Sequence, residues 1–219
     1  MVSMESKYSV PDGRGQQLYA GLVRYLQERH SLGMNVFWMA LDCYREAVRC
    51  YDNEIFEAAT IMCRNTIDSA IFEAALKRCE QWPANAASWE YKTVFNSQYD
   101  WYTEWLKAGE ETRGILEEYA IDKLRRIAWG RLKQLAVYKL KIIKKAEVKN
   151  VENIRELGNY SAHRAQGITK DMIKSLGKQS TLKIRTSEDE AQNALVETKK
   201  ILEMICDRYF EREERRLHK

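Results

Sequence analysis

The sequence predicts an all-α protein, a helical bundle carrying a Trp-rich helical insertion, and three observations predict it. Apolar residues recur every three or four positions along most of the chain, the period of a helix with one buried face. Only two of the 219 residues are proline, and 45% are hydrophobic against 31% charged, a balance that favours packed helices over a β-sandwich or a disordered chain. The last periodic stretch also opens on Ser187-Glu188-Asp189-Glu190, in which a serine cap and a glutamate three residues on satisfy the first free N–H groups of a helix. A chain of this length buries a substantial core without metal or disulfide. The expected organisation is a flexible arm over 1–15, one helical domain over 16–210 with an insertion at 81–114, and a charged tail over 211–219.

The arm contains Pro11, Gly13 and Gly15 among polar residues. The first helix is expected from Gln16 to about Arg29, where Leu18, Leu22 and Leu26 recur, with Leu32-Gly33 ending it. A second spans about Asn35 to Tyr51, its apolar side made of Trp38, Leu41, Ala47 and Val48. A third runs from Glu54 to Glu80 on a stripe of small residues, including Ala58, Ala59, Cys63, Ala70 and Ala74. Small side chains let neighbouring helices approach closely, so this is the expected central helix. Residues 81–114 hold four of the six tryptophans, Trp82, Trp89, Trp101 and Trp105. They suit either a stacking platform for unpaired bases or the docking of an insert on the bundle.

A long helix is expected from about Glu110 to about Asn150, with Gly114 and Gly130 as its weak points. Between 121 and 150 there are ten bases and two acids, a local net charge of +8. Projected at about 100° per residue, Lys123, Arg126, Lys133, Lys141 and Lys144 fall opposite the apolar stripe and form a basic face that would attract a phosphate backbone. A solvated helix face is the alternative reading. Residues 161–185 read as a loop with a short helix near Lys170–Leu176. The last helix then buries Ala191, Leu195, Thr198, Leu202, Ile205 and Tyr209, and the tail from Glu211 is expected to fray.

The five cysteines, Cys43, Cys50, Cys63, Cys79 and Cys206, are odd in number, include no Cys-x-x-Cys pair, and read as reduced core residues. No apolar run reaches the ~20 residues of a membrane span, and the first residues lack a signal-peptide core. A cytoplasmic protein without membrane contact is expected. There is no phosphate-cradling glycine loop, zinc-ligand spacing or nucleophile elbow, so neither a metal nor another cofactor is expected.

The stretch Ile154-Arg155-Glu156-Leu157-Gly158-Asn159-Tyr160-Ser161-Ala162-His163-Arg164 concentrates the chemistry. On an unbroken helix Arg155, Asn159 and His163 would share a face, drifting about 40° per step over roughly 12 Å. Gly158-Asn159 could instead end the helix and re-aim His163. An imidazole titrating near ~6.5 suits proton transfer, and a guanidinium suits a crowded phosphate. Such a pair can cleave RNA without a metal. The same residues also have structural uses. Arg155 can pair with an acid on a neighbouring helix, Asn159 can cap a helix end, and His163 can bond buried carbonyls.

Ile154, Arg155, Gly158, Asn159, Ala162 and His163 match an Ile-Arg-x-x-Gly-Asn-x-x-Ala-His signature. With that signature the chain resembles a prokaryotic domain-of-unknown-function branch of the HEPN superfamily, over roughly residues 34–80 and 115–210. The resemblance implies a HEPN-like bundle, an RNA-directed role of prokaryotic defence or toxin type, and a homodimer whose two motifs share a cleft. It further implies a metal-independent endoribonuclease in which His163 is the acid–base group, Arg155 the phosphate-stabilising cation and Asn159 the positioning residue, with Arg164 beside them on the RNA. HEPN ribonucleases separate their Arg and His by four to six residues, whereas seven separate Arg155 from His163, and Glu156 follows the arginine. The second expectation, from another class, is a non-catalytic helical interaction module that binds a protein or nucleic-acid partner.

Overall fold

The computed structural model describes residues 15–30, 33–79, 129–165 and 186–217, and every regular element among them is helical. Helix α1 spans Gln16–Arg29, a short α2 spans Gly33–Val36, α3 spans Trp38–Asp52 and α4 spans Phe56–Cys79. Helix α5, Trp129–Gln134, runs directly into a π-helical turn at Leu135–Lys139, and a 3₁₀ turn at Lys145–Glu147 leads into α6, Val148–Ala165. The last helix, α7, spans Glu188–Leu217. The arm over 1–14, the whole 81–114 insert and the short helix expected near 170–176 lie outside the described residues.

Helix α4 is the centre of the bundle, packing against α3, α6 and α7. Its stripe of small residues is the reason: Ala59, Cys63, Ala70, Ala74 and Ala75 are buried with Ile67 and Ile71 between them. Thr60, Thr66 and Glu73 are buried as well, so α4 is covered on several sides, as a central helix must be. Helix α1 buries Leu22 and Leu26 as the helical period selects, with Tyr19 in the core and Leu18 only half-buried beside it, and α7 buries Ala191, Leu195, Thr198, Leu202, Ile205 and Tyr209, as that period also selects. The Ser187 cap forms as expected. The Glu190 N–H donates to Ser187 Oγ at 3.2 Å, and the Ser187 N–H donates to Glu190 Oε2 at 3.0 Å.

Three carboxylates reach across to the start of another segment. Asp52 of α3 accepts the Gly15 N–H at 2.5 Å, Glu57 of α4 accepts the Thr186 N–H at 3.1 Å, and Glu73 of α4 accepts the Met39 and Ala40 N–H groups at 2.7 and 3.0 Å. Helix starts leave N–H groups unpaired and carry partial positive charge. These acids therefore fix where α1, α3 and α7 begin relative to their neighbours.

The structure corrects several boundaries. The single helix expected to run as far as Asn150 stops after the π turn, and Leu140 to Lys144 is non-helical. There the Leu140 N–H reaches back to Leu135 O, and the Ile142 and Ile143 N–H groups both reach Ala136 O. Lys141 takes a left-handed backbone with φ 51°. The turn-over lets Leu140, Ile142 and Ile143 all face the core, which a continuing helix could not do with three residues so close in sequence. The tail does not fray at Glu211, because α7 continues to Leu217. Residues 161–165 belong to α6 instead of a loop. Trp38 is 53% exposed, and Phe37 takes the buried place beside α3. Cys63 and Cys206 are buried free thiols, while Cys43 and Cys50 are partly buried. Burial pushes the Cys63 thiol up to about 12, so it stays protonated as a core residue.

Candidate functional site

The signature lies on α6, which runs unbroken through Gly158-Asn159. Gly158 marks the closest approach to α4. A Cβ there would stand 2.6 Å from Arg64 Cβ and 2.9 Å from the Thr60 carbonyl oxygen, so the glycine is required for proximity. Because one of those atoms is backbone, Gly158→Ala is expected to lower stability by about 1–3 kcal/mol, read as a shifted midpoint in urea unfolding. An unchanged midpoint would show that the two helices separate freely. Beside Gly158, Thr60 donates to Ser161 Oγ at 2.8 Å, and Ser161 Oγ lies 3.2 Å from Thr186 Oγ1. These buried hydroxyls tie α4, α6 and the start of α7 together.

Arg155 is committed to that same seam. Its Nε donates to Asp68 Oδ1 at 2.6 Å and its NH2 to Asp68 Oδ2 at 3.1 Å, the forked geometry that carboxylates favour. The guanidinium carbon sits 3.7 Å from the centroid of the Trp129 ring, a cation–π stack. Arg64 Nε is 3.5 Å from the same Asp68 carboxylate, and only 11% of the Arg155 side chain is exposed. Asn159 is half-buried and Glu156 exposed. His163 and Arg164 belong by backbone to the last turn of α6, and their side chains lie outside the described residues. On an α-helix, position 155 stands about 60° around the axis from Gly158 and position 163 about 140°, so the two share one flank of α6 at different distances from α4.

The expected basic face divides. Lys123 and Arg126 lie outside the described residues. Lys133 is paired with Glu152 at 2.6 Å. Lys141 and Lys144 sit beyond the end of the helical turn and line an open cleft of about 390 Å³ between that segment and the C-terminal half of α7. Helix α7 contributes Arg208, Arg212 and Arg215, which the sequence reading had left in the last helix and a mixed-charge tail. Their spacing of four and three residues was the available signal, since it puts all three on one helix face.

Five cations thus line the cleft against two carboxylates, Asp207 and Glu211. Asp207 is compensated from the far side. It accepts the Tyr25 hydroxyl at 2.6 Å and lies 2.8 Å from His30 Nε2 and 3.5 Å from Arg29. Burial and the neighbouring Asp207 push the Tyr25 hydroxyl up to about 12, so it remains a donor. Arg208 is forked onto Glu147 at 2.5 and 2.6 Å and also donates to the Ile142 carbonyl at 3.3 Å. That pairing holds the Glu147 carboxyl below its usual range and pins the 140–147 segment to α7. An open cleft with this excess of positive charge raises the local concentration of anions.

Among the described residues, no cluster of three His, Cys, Asp or Glu side chains is placed to hold a metal ion, and no helix is long and apolar enough to cross a membrane. Comparison with known proteins finds no matching family model, no matching curated sequence and no matching solved structure. What the fold and site define is an all-α protein with a cationic cleft at one end of its last helix.

Proposed function

We propose that the protein is an RNA-directed helical module of prokaryotic defence or toxin type, HEPN-like in its signature, that acts by binding. The observation that carries this reading is the cleft lined by Lys141, Lys144, Arg208, Arg212 and Arg215 against only two carboxylates. The opposing consideration for catalysis is Arg155, whose guanidinium has its fork filled by Asp68 and one face covered by Trp129. A cation so engaged has little left to offer a phosphate. The full-length protein is expected to retard RNA in a native gel, with affinity falling as salt rises, and to leave the RNA uncut. His163→Ala should bind as the wild type does. Failure to bind RNA even at low salt would remove this reading.

A metal-independent ribonuclease is the second reading. One observation favours it: α6 is continuous from Arg155 through Asn159 to His163, which keeps the three positions on one flank. Cleavage that survives EDTA and disappears in His163→Ala would establish it in place of the binding module. A homodimer is expected under either reading, through two motifs completing one cleft in the ribonuclease and through apolar surface in the binding module, and sedimentation of the full chain reports it directly.

A further inference from the structure

We propose that the cleft between the 140–144 segment and α7 grips consecutive phosphates of a nucleic-acid strand and reads neither base nor sugar. This inference rests on the binding reading above and deepens it by naming what the site recognises.

Base recognition needs aromatic faces for stacking or amide and hydroxyl groups for base edges. The cleft has neither: its lining is lysine, arginine, two carboxylates and one apolar side chain, Met204. An arginine can also fork onto guanine; the Arg208 fork is already filled by Glu147 and Arg215 lies against Glu211, so a comparison of oligomers is what tests base readout. A ribose hydroxyl used as a donor would have to find an acceptor here. Asp207 already accepts from Tyr25 and pairs with His30 on its far side, and Glu211 lies 3.5 Å from Arg215. Lysines and arginines without a stacking face suit a phosphate backbone, whose contacts position a strand and carry no sequence information.

The dimensions agree. From Arg208 to Arg215 is seven residues, roughly 10 Å of helix, and one strand of a duplex carries about three phosphates over that length.

Lys141 offers a clean test. It is a non-glycine residue with φ 51°, a conformation that glycine adopts without strain and lysine does not. The Lys141 side chain lines the cleft. Lys141→Gly therefore separates folding from binding, because it relieves the backbone and deletes the charge together.

The test uses fluorescence anisotropy on the full chain with three labelled oligomers of equal length: oligouridylate, oligoadenylate and an abasic deoxyribose-phosphate strand. All three are expected to bind within about twofold of one another. Lys141→Gly should keep or raise the Tm while weakening every oligomer by about tenfold and reducing the salt slope by about 1. Lys144→Gln should do the same to binding without touching Tm. If either ribo-oligomer binds more than about tenfold tighter than the abasic strand, bases are read and the proposal falls. If RNA binds but neither variant changes its affinity, the site lies elsewhere and only this inference is lost. If no oligomer binds, the binding reading falls with it.

Discussion

Asp68→Ala is expected to destabilise the fold by about 1–3 kcal/mol, below what breaking a fully buried ion pair costs, because the Asp68 side chain is 26% exposed. The variant leaves the Arg155 guanidinium against the Trp129 ring with its fork empty, at a side chain only 11% exposed. The Arg64 guanidinium, 3.5 Å from Asp68, loses its compensation too. Two positive groups then face each other across the α4–α6 seam, close to the Gly158 contact that tolerates no added atom. Removing both partners in Asp68→Ala/Arg155→Met should recover part of the loss, because the Asp68 and Arg155 charges disappear together while Arg64 stays without its partner. Urea unfolding of Asp68→Ala, Arg155→Met and the double variant measures this as a cycle. Were Arg155 a cation held in reserve for a phosphate, Asp68→Ala would shift stability by less than about 0.5 kcal/mol. That small shift would return Arg155 to the catalytic account.

The Arg155 pairing also shows how far a single sequence can be read. Its sequence neighbourhood marks it as a residue with chemistry to do, and pairing with an acid on another helix was one of its legible uses. Nothing local says that the acid is Asp68, because residues 87 apart in sequence meet only once the packing of α4 on α6 is known. Where information is local, the sequence was sufficient. The helical period selected the buried faces of α1 and α7, and Ser187 with Glu190 marked the start of α7. The break at 140–144 had no local mark, since the chain changes direction there without Gly or Pro and puts a lysine at φ 51°. Projecting a basic face through residue 144 therefore failed at its last two members. Lys141 and Lys144 turned out to belong with arginines more than sixty residues downstream, which no periodicity connects to them.

The cross-helix acids explain how so regular a set of helices acquires one arrangement. Apolar stripes on α3, α4 and α7 can slide against one another at small cost, since burial is non-directional. A carboxylate that must meet particular N–H groups cannot slide. Asp52, Glu57 and Glu73 each set one register, and Arg208 on Glu147 sets a fourth by joining the 140–147 segment to α7. The cleft inherits its shape from that fourth contact, so the same ion pair that positions the backbone also holds Lys141 and Lys144 opposite the arginines.

Glu73 makes the stability of the fold depend on pH. Its side chain is 2% exposed, and burial raises its carboxyl from 4.5 to about 7, against the opposing pull of the Met39 and Ala40 N–H bonds. Between those two values the folded chain holds a proton that the unfolded chain has released, so stability falls as pH rises through the window and levels off above about 7. The full fall attributable to this one group is about 3 kcal/mol. Glu73→Gln removes the titration while keeping the shape and one acceptor. Its own stability should be flatter with pH, and the wild type's advantage over it should shrink by about 2 kcal/mol between pH 5 and pH 8. Glu73→Ala, which leaves the two N–H groups at the start of α3 without a partner, should be less stable than Glu73→Gln at every pH, by about 1–3 kcal/mol. Thermal or urea unfolding of the three proteins across that range decides it. A difference between wild type and Glu73→Gln that stays constant with pH would mean the Glu73 carboxyl is ionised throughout, its two N–H bonds outweighing its burial.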